Sequence, residues 1–304
     1  MASLPRFSVV FKLTILLQLC LWAQGYAIDE SCSVPHITAA MAEVREMAEL
    51  ARDQVVKPLD RVDNTKNMLF PWAMSAESKK IQGYYSKVLS QIPWDVTNNQ
   101  MIALDRVTIY CSDASLIPLD IDNALGESWI DTKSTYVFTD RPHHGNASAR
   151  FCEEGENAVS LTARNNNVVL LCDAVLAGAP RYTVKQKYDL GELTIGLKIQ
   201  DFAVVAFTLL HEVFHVALSS TMRSGPAEIY GWDACTLPSL STQDTMVNPD
   251  SLAYYGMALK TVQMGQMVKD FFFTSGVLKS RSDEEIKAMF RAAEVDVLMI
   301  DSFR

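Results

Sequence analysis

The stretch FTLLHEVFHVAL, residues 207–218, sets His211, Glu212 and His215 into an otherwise apolar run. The surrounding segment QDFAVVAFTLLHEVFHVALSSTM holds no Gly or Pro and is closed by RSGP at 223–226, which predicts a buried helix of some 23 residues. On a helix, residues four apart lie on one face, so His211 and His215 can offer ring nitrogens to a single ion. Glu212 is rotated off that axis but within reach of a water on the ion. This is the physical content of HExxH, two zinc ligands and a general base. Zinc draws the pKa of its water toward about 7, and Glu212 would take the proton as a polarised peptide carbonyl is attacked. The plain alternative buries two imidazoles and a carboxylate in an apolar helix without a compensating charge, which is costly. The expectation is one Zn2+ per chain.

The third ligand is less constrained. VALSST follows His215, with none of the Gly and His that a metzincin requires, and no histidine occurs beyond it. Glu228 is the one glutamate between residues 215 and 284, beside the SGP break and at short reach. Asp250 has the better local setting than Asp233 or Asp244. VNPDSLAYYGMAL reads as Asn248 at the N-cap, Pro249 at N1 and Asp250 in the first turn of a helix. Acids occupy such turns for the helix dipole alone, so the residues by themselves leave Asp250 and Glu228 both open.

The first residues read as a secretory signal peptide, residues 1–27. Arg6 and Lys12 precede an apolar run from Leu13 to Ala23, and small residues at Gly25 and Ala27 offer two cleavage sites. The run is too short to span a bilayer, which needs about 20 residues. Removing it takes two basic and no acidic charges from a chain of 27 Lys+Arg and 36 Asp+Glu, leaving a formal charge of −11. That balance argues against nucleic acid and anionic membrane as partners. The expected localisation is secreted and extracellular, without membrane association after cleavage, and the expected partner is a protein or peptide substrate. Cys32, Cys111, Cys152, Cys172 and Cys235 then remain, which in an oxidising compartment predicts two disulfides and one cysteine left over. Asn146-Ala147-Ser148 is a glycosylation sequon in a loop that also carries His143 and His144, read as solvent-exposed.

Along the mature chain, HITAAMAEVREMAELARDQVVKPLDRV and SKKIQGYYSKVLSQI have helical periodicity, giving N-terminal helices over about 37–93. RVTIYC, STYVFTD, AVSLTA and NVVLLC are β-branched or aromatic runs between turn residues, a β region over about 105–175, with RNNN as a hairpin turn. Helices return over about 200–304: the HExxH helix, one from Asn248 toward Phe273, and one opened by Ser282 with a capping-box glutamate at 285. The fold class predicted is α+β, mainly helical with a small sheet, as one domain over 28–304.

HEVFH, then EIYGWDAC, then NPDSLAYYG resembles the deuterolysin-like metallopeptidases, the aspzincins, and most of all their divergent secreted fungal relatives. The resemblance covers most of residues 37–275, though only HExxH and the NPD segment are sharp. It implies a zincin-like fold and a secreted zinc endopeptidase. It implies His211, His215 and Asp250 as metal ligands and Glu212 as base. It also implies a tyrosine that stabilises the oxyanion, Tyr254 on alignment, with Tyr255 and Tyr230 behind it. The stricter family pattern is G-T-x-D-x-x-Y-G. Aligned on Leu252-Ala253-Tyr254, its aspartate falls on Ser251, so aspartate sits one place early here. That offset makes zinc binding better supported than peptidase activity, and the competing expectation is a secreted zinc-binding or host-interaction protein that keeps the fold without efficient catalysis.

Overall fold

The computed structural model describes residues 26–57, 63–71, 73–92, 94, 107–119, 128–138, 149–163, 166–178, 180–202, 204–265, 271–274 and 276–280. The leader through Gly25, His143 and His144, the sequon and the helix expected from Ser282 lie outside them. In chain order the elements are β1 (Ala27–Ile28), α1 (Val34–Gln54), α2 (Asp63–Leu69), α3 (Ser75–Gln91), β2 (Val107–Tyr110), β3 (Leu116–Leu119), β4 (Ser128–Asp131), β5 (Val137–Phe138), β6 (Ala158–Ala163), β7 (Asn166–Leu171), α4 (Asp173–Leu176), α5 (Val184–Asp189), α6 (Val205–Leu218), α7 (Trp232–Cys235), α8 (Thr242–Thr245), α9 (Pro249–Gly265), β8 (Phe271–Thr274) and β9 (Val277–Ser280). They form a mixed α+β structure. The residues cluster in two compact units, Met1–Ala42 with Ser90–Ala179, and Glu43–Leu89 with Pro180–Arg304.

The first unit holds the two larger sheets. One has the order β1-β2-β7-β6, with β1 and β7 parallel to β2 and β6 antiparallel to β7. The second is the antiparallel trio β3-β4-β5. The β-branched runs at 107–110 and 166–171 form strands because their side chains fill a core of Tyr110, Leu116, Trp129, Phe138, Phe151, Leu161, Val168 and Leu170. Leu116–Leu119 and Ser128–Asp131 were not legible as strands, since LIPL carries a proline and SWID only one β-branched residue. Two disulfides close the unit, Cys32–Cys111 and Cys152–Cys172, and Cys235 is left free and buried. Two bridges suit an extracellular protein, and among the described residues no helix is long and apolar enough to cross a membrane.

The second unit is mainly helical. The helix containing HEVFH is shorter than the sequence implied, with a separate 3-10 turn at Ile199–Phe202. The break falls where Val204 is extended and the first helical amides, Val205 and Ala206, donate to the carbonyls of Arg181 and Tyr182. Another segment thus satisfies the amides that a helix start leaves unpaired. The helix expected to run from Asn248 toward Phe273 is observed as Pro249–Gly265, and Phe271–Thr274 pairs with Val277–Ser280 as a hairpin instead.

Leu209, Leu210, Val213 and Phe214 of α6 are fully buried, each contributing about 1.5–3 kcal/mol. Phe214 meets Tyr85 of α3 edge to face, and the Tyr85 hydroxyl donates to the Leu252 carbonyl of α9. Gly256 lets α9 approach: a Cβ there would lie 3.0 Å from Leu210 Cδ2 and 3.3 Å from Met47 Cβ. Gly256→Val is therefore expected to destabilise the protein by about 1–3 kcal/mol through overpacking, read as a lowered midpoint in urea unfolding. An unchanged midpoint would refute the close approach.

Candidate metal centre

Two turns of α6 carry the histidines on one face. Their Nε2 atoms lie 3.2 Å apart. The Oε1 atom of Glu228 lies 2.8 Å from Nε2 of His211 and 3.2 Å from Nε2 of His215. These three atoms form a group that could hold a metal. Glu212 is buried one position along the helix, its Oε1 3.9 Å from the His211 Nε2.

Asp250 stands on the other side of the His211 ring. Its Oδ1 is 2.6 Å from Nδ1 of His211, and its Oδ2 accepts the Gly231 amide at 2.7 Å. A carboxylate facing a ring nitrogen at that distance accepts, so Nδ1 carries a proton and Nε2 is the nitrogen that faces His215 and Glu228. The three atoms that converge thus belong to His211, His215 and Glu228, whereas the set expected from sequence had Asp250 in the third place. Asp250 touches the cluster through His211, the position of a carboxylate that orients a ligating histidine.

Glu228 reaches the helix because its segment is strapped back. It follows the 3-10 turn Gly225–Ala227, where Arg223 donates to the Ala227 carbonyl and also pairs with Asp244. Asn248 precedes the helix at the expected cap position, its carbonyl accepting the Leu252 amide, and its side chain reaches across this gap. It accepts the Ile229 amide and donates to the Ile229 carbonyl, both at 2.9 Å. Gly231 has φ +83, a conformation that favours glycine, and its amide turns to Asp250.

The tyrosine at the cluster is Tyr230. Its hydroxyl donates to Glu228 Oε2 at 2.9 Å and its ring stacks on His211. Tyr254, the aligned candidate for the oxyanion role, is buried, packed on Phe207 and edge-on to Trp232. Tyr255 is fully buried against Phe70. The sequence held a signal for this arrangement. The family pattern places its acid just before Tyr-Gly, and Glu228 precedes Tyr230-Gly231 with one residue fewer between. Alignment on Leu252-Ala253-Tyr254 passes over it.

Burial alone would lower the His211 pKa and raise that of Glu228. Hydrogen bonds to Asp250 and Glu228 instead raise His211 well above the ordinary imidazole value. Hydrogen bonds from both histidines bring Glu228 down to about 2. Burial, with Asp250 nearby, pushes the Cys235 thiol up to about 12, so it stays protonated and is no thiolate ligand.

The donor set fits zinc. Two imidazoles and a carboxylate are a zinc set, and bonds of about 2.0–2.1 Å in a tetrahedron separate donor atoms by about 3.3 Å. The observed separations run from 2.8 to 3.2 Å. Two ring nitrogens and a carboxylate oxygen facing one another so closely need a proton or a cation among them.

No protein-family profile matches the chain, and no curated protein matches it. Among solved structures, a zinc peptidase from Grifola frondosa aligns over 78% of this chain and 99% of its own at 13% identity, with a TM-score of 0.40.

Hydrogen bonds to Asp250 and Glu228 raise the His211 pKa, so a zinc ion binding at this cluster would displace a proton. Binding near pH 7 is expected to release protons and to weaken as pH falls. Titration calorimetry in two buffers of different ionisation enthalpy measures this, and equal apparent enthalpies in both would exclude it.

Proposed function

We propose that the chain is a secreted zinc-dependent endopeptidase of the aspzincin kind, in which Glu228 takes the place of the family's aspartate ligand. The observation that carries the reading is the convergence of His211 Nε2, His215 Nε2 and Glu228 Oε1 within hydrogen-bonding distance of one another, with the Glu212 carboxylate beside them. His211, His215 and Glu228 would hold the ion, and Asp250 would fix the His211 ring and its tautomer. Bound zinc would supply Lewis acidity for the peptide carbonyl and lower the pKa of water. Glu212 would accept the proton of the attacking water and return it to the leaving amine. Buried carboxylates around the centre favour its cationic occupant, and the net charge of −9 leaves nucleic acid an unsuitable substrate.

The test is zinc content and casein cleavage in the wild type and three variants. Glu212→Gln is expected to keep about one zinc per chain and lose about 10²–10⁴-fold in cleavage. Asp250→Ala should weaken zinc by about 10–100-fold, and Glu228→Ala should weaken it more. A reversed order would make Asp250 the ligand. Full zinc with no cleavage in the wild type would support the competing reading, a zinc-binding protein without catalysis.

Secretion fixes a further expectation. Tyr26 is 1% exposed, and Ala27–Ile28 pair with Thr108 and Ile109. Cleavage after Ala27 would remove the buried ring and half the strand, whereas Ala23-Gln24-Gly25 offers small residues at both required places. N-terminal sequencing of the secreted protein should begin at Tyr26, and a start at Ile28 would refute this boundary.

A further inference from the structure

Tyr230 is 60% exposed, yet its hydroxyl is committed to one atom of the centre. An exposed phenol can be hydrated without cost, so burial does not demand this bond. Its partner matters more. The Glu228 side chain is only 2% exposed, and its two oxygens have separate neighbours: Oε1 faces both histidine Nε2 atoms, and Oε2 accepts the hydrogen bond of the Tyr230 hydroxyl. A carboxylate can give a metal one oxygen or two. With one, three protein ligands leave the fourth position of a zinc centre free for water or substrate, the mark of a catalytic rather than a closed site. With two, that position is crowded.

We propose that Tyr230 is a positioning residue that holds Glu228 to the metal through one oxygen and so keeps a coordination position open. The proposal rests on the zinc reading above, and it assigns the tyrosine a role in the resting centre, before substrate binds. Ring stacking on His211 at 5.9 Å and 15° aims the hydroxyl. The short Glu228-Ile229-Tyr230 spacing, fixed by Asn248 on both backbone groups of Ile229, sets the distance.

Cobalt(II) tests this without any assay of activity. It takes the place of zinc in such sites, and its visible bands are several-fold stronger with four ligands than with five, so geometry is read directly. The full-length wild type is expected to bind one cobalt per chain with strong bands. Tyr230→Phe keeps the ring on His211 and removes only the donor; it should still bind one cobalt, with bands weakened about twofold or more, and should bind zinc about tenfold more weakly. Tyr230→Leu should weaken the bands at least as much, which separates loss of the hydroxyl from loss of stacking. Full cobalt with an unchanged spectrum in Tyr230→Phe overturns this role and leaves the zinc reading standing. Absence of cobalt binding in the wild type overturns both.

Discussion

The Asp250 carboxylate holds the centre together. One oxygen accepts a hydrogen bond from His211 Nδ1 and the other from the Gly231 amide, so a single buried side chain ties α6 to the segment carrying Glu228. A buried carboxylate must find donors or lose its charge, and here each donor does structural work. The first selects the tautomer that turns Nε2 inward. The second fixes the backbone three residues past Glu228. Asn248, two residues earlier on the same helix start, grips Ile229 at both its amide and its carbonyl. The NPD sequence thus acts as a clasp between two parts of the chain as much as the opening of a helix.

Electrostatics favour a positive charge at the cluster. Glu212, Glu228 and Asp250 lie around two imidazoles in a largely buried place. In low dielectric such carboxylates repel strongly unless a positive charge is shared among them. Hydrogen bonds from His211 to Asp250 and Glu228 favour its protonated form, so its pKa rises while that of Glu228 falls. A divalent cation supplies positive charge better, because it meets all three inward-facing atoms at once. Proton and metal therefore compete for the same position, and affinity becomes a function of pH.

The sheet-bearing unit is held by different means. Its core is one cluster of aromatic and aliphatic side chains, and both disulfides lie in it, Cys32–Cys111 spanning 79 residues and Cys152–Cys172 spanning 20. Long-range bridges of this kind restrict the unfolded chain. Asp131, fully buried, accepts from Tyr110, Ser134 and the Lys133 amide, so its carboxylate is satisfied.

The sequence by itself determined the helix of FTLLHEVFHVAL, the pairing of His211 with His215 on one face, and Glu212 beside them, because helical periodicity is local and i,i+4 geometry follows from it. It also determined four of the nine strands found among the described residues, β2, β5, β6 and β7, and the number of disulfides. The third member of the cluster was a matter for tertiary structure alone. Local reasoning set Asp250 ahead because its helix start is well formed, and it kept Glu228 as the alternative, at short reach beside the Gly-Pro break. Only the folding of residues 223–231 against Asn248 and Asp250 gives Glu228 its direction, and that same contact turns Asp250 to the far side of His211. Contacts between residues about twenty apart in sequence have no periodicity to betray them.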